Sequence, residues 1–229
     1  MFMKAPRSAV GFTLIELLTV IAIIAILMSL LMPTAIIVRQ KARVASARND
    51  IAGIGTAVKG FYTDYGVYPV PPGVQATGSG SAGNYTFGDQ SGSGAQSTNN
   101  FLFDVLRAYT GSSATAANVK AENSRLTSYI EPKIVSDATN PKNGITTQTA
   151  NGIADGTYLD PWGMQYNVRI DLSYSNQLYL SPPYTDSTLA AGFLSFTEAA
   201  WSYGPDRQPG TAGNGDVNGP GFDDVLSWK

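Results

Sequence analysis

The 229-residue chain contains no cysteine and no histidine. The first absence rules out a disulfide framework and thiolate metal sites, and says nothing firm about the compartment. The second excludes histidine-based triads, imidazole proton shuttles and ordinary zinc sites. No G-x-S-x-G nucleophile elbow and no phosphate-binding P-loop occurs either. Of the common catalytic arrangements only a carboxylate pair survives, and carboxylates are too frequent for their presence alone to argue for it. Fifteen basic residues against seventeen acidic ones give a net charge of −2 and no basic surface for nucleic acid.

What the chain does have is a long apolar run. Residues 17–38, 22 in all, carry no charge, and as a helix they would measure roughly 33 Å, enough to span a bilayer. Lys4 and Arg7 precede the run, and one carboxylate, Glu16, stands at its head. An ionisable group held in hydrocarbon is costly and needs a partner. Three readings of this N-terminus compete. A cleaved secretory signal carries an apolar core of about 7–15 residues closed by a small-x-small site, and this run is longer and continues into a helical pattern. A plain membrane anchor explains the length and places Lys4 and Arg7 in the cytoplasm. It leaves Glu16 unexplained and is strained by Arg39, Lys41, Arg43 and Arg48 just beyond the run. In the third, cytoplasmic cleavage after Gly11 exposes Phe12 as a new N-terminus four residues before Glu16.

The third arrangement resembles the type IV pilin and type II secretion pseudopilin family, whose motif reads here as Gly11-Phe12-Thr13-Leu14-Ile15-Glu16-Leu17-Leu18, after a basic leader and with Pro33 within the helix. The resemblance implies that a prepilin peptidase removes residues 1–11 and methylates the Phe12 amine. It implies that Glu16 pairs with the Phe12 ammonium of a neighbouring subunit as the two leave the membrane, since a buried carboxylate is tolerable only neutral or paired. Cleavage would leave 13 basic against 17 acidic residues, a net of −4.

Beyond the run, Ala47, Ile51, Ile54, Val58, Phe61 and Tyr65 are spaced by four and three and lie along one stripe of a continuing helix. Gly66, with Pro69 soon after, supplies its stop. Pro33 predicts a kink or a local unwinding. The stripe needs a core to cover. The apolar half of the helix has no such partner within one chain, so lipid or other subunits must bury it. Residues 73–100 hold seven glycines and five serines with Asp89 as the one charge, a loop by composition. The spacing predicts a short helix over 101–109 stopped by Gly111, and a short strand near 129–135. Residues 166–170 alternate as a strand with 176–180 as hairpin partner, and 193–196 and 199–203 supply further strand or a short helical stretch. Asp160-Pro161-Trp162-Gly163 is similar to a segment of the major pseudopilin of type II secretion, and in physical terms is a turn whose tryptophan caps the core.

Near the C-terminus Asp206, Asp216, Asp223 and Asp224 lie in a glycine-rich frame with little apolar content. Glycines let backbone carbonyls turn inward, and a hard cation takes six to eight oxygens, so a bound ion supplies order that burial cannot; the spacing is no EF-hand, and a solvated acidic turn is the alternative. Here the resemblance implies structural Ca²⁺, because major pseudopilins bear a calcium site in a loop with an ending like Asp223-Asp224-Val225-Leu226-Ser227-Trp228. Asp206 and Asp216 match the general position of that family's ligands.

The expected fold is α+β: a type IV pilin-like long N-terminal helix packed on a small antiparallel sheet, with long loops. Its parts are a leader at 1–11, a transmembrane and assembly segment at 12–38, and a periplasmic or extracellular domain at 39–229. That domain contains an insertion-rich region at 73–150 and the acidic loop at 203–229. The function implied is non-enzymatic: a pseudopilus subunit that polymerises with copies of itself to drive export of folded proteins. Its implied partners are the prepilin peptidase, an assembly ATPase, an inner-membrane assembly platform, minor pseudopilins and, before assembly, membrane lipid. A type IV pilus subunit for adhesion, motility or DNA uptake shares this N-terminus, although no C-terminal disulfide pair is present and the acidic loop is. The third alternative is a membrane-anchored enzyme or binding protein, for which carboxylates about 5–9.5 Å apart in a sugar-sized cleft would be the mark.

Overall fold

A computed structural model describes residues 11–74, 83–90, 95–111, 115–179, 184, 193–210 and 222–229, without the side chains of 30–33. The chain divides into two compact units, Met1–Arg43 and Val44–Lys229. Helix α1, Leu14–Tyr65, runs from the first into the second. Its helical hydrogen-bonded backbone continues through Pro33 without the local unwinding that the sequence allowed there; the loss of one backbone donor does not interrupt the helix.

In the first unit the described apolar side chains of α1 stand in the open, among them Leu17, Ile21, Ile24, Met28 and Val38. By length and composition this helix can cross a membrane. In the second unit the helix carries the predicted stripe. Ala47, Ile51, Ile54, Val58 and Phe61 are at most 2% exposed, and Tyr65 is half-buried beside them. Gly66 ends the helix with φ +72°, its N–H donating to the Tyr62 carbonyl at 2.8 Å.

The stripe packs on a four-stranded antiparallel sheet formed by β1 (Asn84–Phe87), β4 (Asn167–Asp171), β7 (Glu198–Ser202) and β8 (Val225–Leu226), in that spatial order. Two short pairs accompany it, β2 (Gly144–Ile145) with β3 (Tyr158–Leu159), and β5 (Leu178–Tyr179) with β6 (Phe193–Leu194). Helices α2 (Asn100–Leu106) and α3 (Ala116–Glu122) lie in the middle of the chain. Because side chains alternate along a strand, the sheet has two buried faces. Phe87, Val168, Ile170, Ala200 and Val225 join the helix stripe in the larger core. Leu178, Leu194, Ala199, Trp201 and Leu226 form a second core with Tyr184 and Tyr203. Two polar links cross from helix to sheet region: the Tyr166 hydroxyl donates to Asp50 Oδ2 at 2.8 Å, and Lys59 Nζ lies 2.8 Å from Glu198 Oε1.

Four expectations are corrected. Residues 73–100 are not all loop, since β1 falls within them and is buried at every residue. Its four residues are too few to stand out from a Gly/Ser-rich composition, and pairing with β4 (Phe87↔Val168) fixes it. No strand forms over 129–135, where Pro132 interrupts and only Ile134 bridges to Ile145. The 176–180 segment supplies β5, but β5 pairs with β6 (Leu178↔Leu194) and not with β4. The Asp171 carboxylate accepts hydrogen bonds from the Ser173 and Gln177 backbone and the Ser173 and Ser175 hydroxyls, which turns the chain away from its own strand. Finally, α2 stops before Gly111. Ala108 takes φ +55°, its N–H bonds to Val105 O, and the Tyr109 N–H bonds to Asp104 O, a Schellman closure made without glycine.

Candidate functional site

The sequence points to two places, and the structure gives each a local geometry. At the N-terminus, Gly11 and Phe12 are exposed and precede the first turn of α1, with Phe12 73% accessible. A Cβ built on Gly11 meets no atom within 4 Å, so packing does not require glycine there. Thr13 and Glu16 close on each other. The Thr13 N–H and hydroxyl donate to Glu16 Oε2 at 2.8 and 2.6 Å, and the Glu16 N–H donates to Thr13 Oγ1 at 3.3 Å. This is a capping box, which satisfies two of the orphan donors at a helix start. Thr-x-x-Glu is its sequence signature, and the reading of Glu16 as an acid without a local partner passed over it.

At the C-terminus, β7 and β8 pair through Trp201↔Leu226 and Ser202↔Val225, which brings the chain after β7 against the chain before β8. Gly204 sits at the crossing with φ +69°, and a Cβ there would come within 2.4 Å of the Asp223 carbonyl. Only glycine fits. The crossing gathers Asp206, Asp223 and Asp224, each offering one carboxylate oxygen within 4.8 Å of the others. Asp216, the fourth predicted ligand, lies outside the described residues.

Asp224 is the most constrained of the three. Its Oδ2 accepts from the Tyr184 hydroxyl and from the Gly210 N–H at 2.8 Å. Its Oδ1 is buried with no hydrogen-bond partner among the described residues. Burial pushes its carboxyl up to about 7 against the pull of those two bonds, and Asp223 and Asp206 add to the rise. Burial, then repulsion from Asp206, also raises Asp223. Arg207, next to the cluster in sequence, aims its guanidinium at the Trp162 carbonyl, 2.7 Å away, and among the described residues no ion pair reaches the three acids. Concentrated negative charge, a buried oxygen lacking a donor and a frame that tolerates backbone ligands fit a hard divalent cation. Tyr184 and Gly210 were missed because nothing in their sequence surroundings marks them as partners of Asp224.

The Asp160-Pro161-Trp162-Gly163 segment is the turn it was read as. Asp160 Oδ1 accepts the Trp162 and Met164 N–H groups, each at 2.9 Å, Oδ2 accepts the Ser202 hydroxyl, and Trp162 is buried in the larger core. A cleft of about 360 Å³ is lined by Ser46, Asn49, Asp50, Glu131, Lys133 and Tyr158, among others. Asp50 already gives one oxygen to Tyr166 there. No protein-family model matches this chain, and neither a curated protein nor a solved structure does.

Proposed function

We infer that this chain is a structural subunit, similar to the major pseudopilin of type II secretion, that polymerises through the N-terminal part of α1 to drive export of folded proteins. The observation that carries the reading is the contrast within α1. The helix part inside the second unit buries its stripe in the larger core, while the described apolar side chains of the uncharged run, at 17–29 and 34–38, are open behind the Gly11-Phe12-Thr13-Leu14-Ile15-Glu16 motif. Such a surface demands lipid at one stage and other copies of the chain at another.

In this reading residues 1–11 are removed in the cytoplasm and Phe12 becomes a methylated N-terminus. The apolar segment crosses the inner membrane, with the remainder of the chain in the periplasm or outside the cell. Glu16 is held by Thr13 in the free subunit and exchanges that partner for the Phe12 ammonium of a neighbour on assembly. A structural Ca²⁺ is held by Asp206, Asp223 and Asp224, with Asp216 a further candidate. A type IV pilus subunit is the second reading, and the acidic cluster beside β8 favours the pseudopilus over it.

The mass and N-terminal sequence of the protein from a cell with the matching peptidase test the proposal. The expected product begins at methylated Phe12, and Glu16→Ala retains membrane insertion while losing filaments. An intact residue 1 in the membrane fraction, or normal filaments from Glu16→Ala, overturns it.

A further inference from the structure

Immediately after the apolar run come Arg39, Lys41 and Arg43. All three are exposed, and among the described residues none forms an ion pair. Helix α1 itself offers no neutralising partner, because no acid occurs from residue 17 to residue 49. Arg39 and Arg43 are four residues apart, so they share a face as a like-charge pair, which disfavours an isolated helix. Lys41 lies roughly 200° around the helix from Arg39 at about 100° per residue. Arg39 and Arg43 therefore stand on one face and Lys41 on the opposite one, so the three do not form one solvated stripe.

Their depth is fixed by the run they follow. Counting about 1.5 Å per residue from Val38, their Cα atoms lie roughly 2, 5 and 8 Å beyond the uncharged segment. A bilayer about 40–45 Å thick with a hydrocarbon core of about 30 Å has a polar layer of roughly 5–8 Å on each side. Long cationic side chains at this level lay their stems along apolar surface and place their charges among lipid phosphates. The membrane orientation proposed above puts these cations on the non-cytoplasmic side, against the usual bias of Lys and Arg, and a specific anionic ligand there accounts for the departure.

We propose that Arg39, Lys41 and Arg43 form a collar that binds the phosphates of anionic lipid headgroups and fixes the depth of the unassembled subunit in the bilayer. The inference rests on α1 spanning a membrane. Arg48, about 15 Å past the run, lies beyond the headgroup layer and is not part of the collar.

The test uses the full chain reconstituted in phosphatidylcholine vesicles containing a minor fraction of phosphatidylglycerol. Resistance to alkaline carbonate reports insertion, and spin-labelled lipids report the preference of the protein-contacting shell for phosphatidylglycerol over phosphatidylcholine. Wild type should resist extraction and show a preference of roughly fivefold or more, the usual worth of one Lys or Arg at an anionic surface. R39Q/K41Q/R43Q should insert with unchanged helicity, since Gln is a good helix former, and its preference should fall to about one. R48Q should match wild type. The wild-type preference should also collapse in 1 M salt, where the screening length falls to about 3 Å. A chain that carbonate extracts overturns the membrane reading and the collar with it. An inserted wild type without lipid preference, a triple variant that keeps the preference, or an R48Q variant that loses it overturns the collar alone. Cross-links from positions 39–43 to a second copy with no lipid preference would assign these residues to a subunit contact instead.

Discussion

The two parts of α1 share one backbone conformation and differ in almost everything else. Residues 14–38 have apolar side chains around the whole circumference, and the described ones are exposed. Residues 44–65 have an apolar stripe with charged and small residues opposite, and the stripe is buried. A helix buried on one side needs one apolar stripe, whereas a helix apolar all round needs an apolar medium or a sheath of partners. The first part is built for an environment that a single chain does not supply, and the second for the sheet beside it.

The sharpest way to break this contrast is to truncate one large side chain in each part. Phe61 is fully buried, stacks on Tyr65 at 4.5 Å and meets Tyr129 edge-on at 5.5 Å. Phe61→Ala should lower the stability of the full chain in detergent by about 3–5 kcal/mol, the usual cost of a large cavity. Ile24→Ala should leave that stability within about 0.5 kcal/mol and weaken filament formation. Chemical denaturation followed by tryptophan fluorescence reads the first effect, because Trp162, Trp201 and Trp228 all lie in the second unit. Equal losses from the two variants would falsify the division of labour.

The same contrast explains what the sequence revealed. The uncharged run and the 47–51–54–58–61–65 stripe are local periodicities, and a helix expresses local periodicity directly. Gly66 as the stop, and Trp162 capping the core, were legible for the same reason. The sheet was read in part. β4 has enough alternation to show, β7 falls where the sequence admits either strand or a short helical stretch, and β1 is four residues inside a Gly/Ser-rich stretch, fixed by its pairing with β4. The departure of β5 from its expected hairpin comes from the Asp171 side chain, whose bonds to the following turn carry no periodic signal. At the acidic cluster the aspartates were visible, while the convergence of Asp206 with Asp223 and Asp224 follows from β7–β8 pairing. The placement of Tyr184 against Asp224 depends on segments far apart in sequence.

A smaller effect is expected at the acidic cluster, where the structure gathers like charges and leaves Asp224 Oδ1 without a donor. Calcium at about a hundred times its dissociation constant would stabilise the folded chain by about 2.7 kcal/mol, a rise of roughly 5–10 °C in melting temperature for a domain of this size. Asp224→Asn retains an oxygen for the Tyr184 hydroxyl but removes charge, so its melting temperature should respond little to calcium. A flat wild-type response to millimolar calcium removes the metal from the proposal and leaves a solvated acidic turn. Neither result bears on the apolar part of α1, which makes this a test of the second unit alone.

The smallest expected effect sharpens the contrast at its other end. Thr13 and Glu16 cap the first turn of α1 in the first unit. A cap lost there should be felt only where it acts. Thr13→Ala is therefore expected to speed amide exchange in the first turn while the melting temperature stays at the wild-type value. The same variant separates two roles of Glu16. If the carboxylate serves chiefly to start its own helix, losing the two bonds of the Thr13 hydroxyl should impair assembly in the same direction as Glu16→Ala does, by less because the residue-13 N–H still bonds the carboxylate. If its main partner is the neighbour's Phe12 ammonium, Thr13→Ala leaves only the residue-13 N–H on the carboxylate, loosening it for that partner, and filaments should form at least as readily as in wild type.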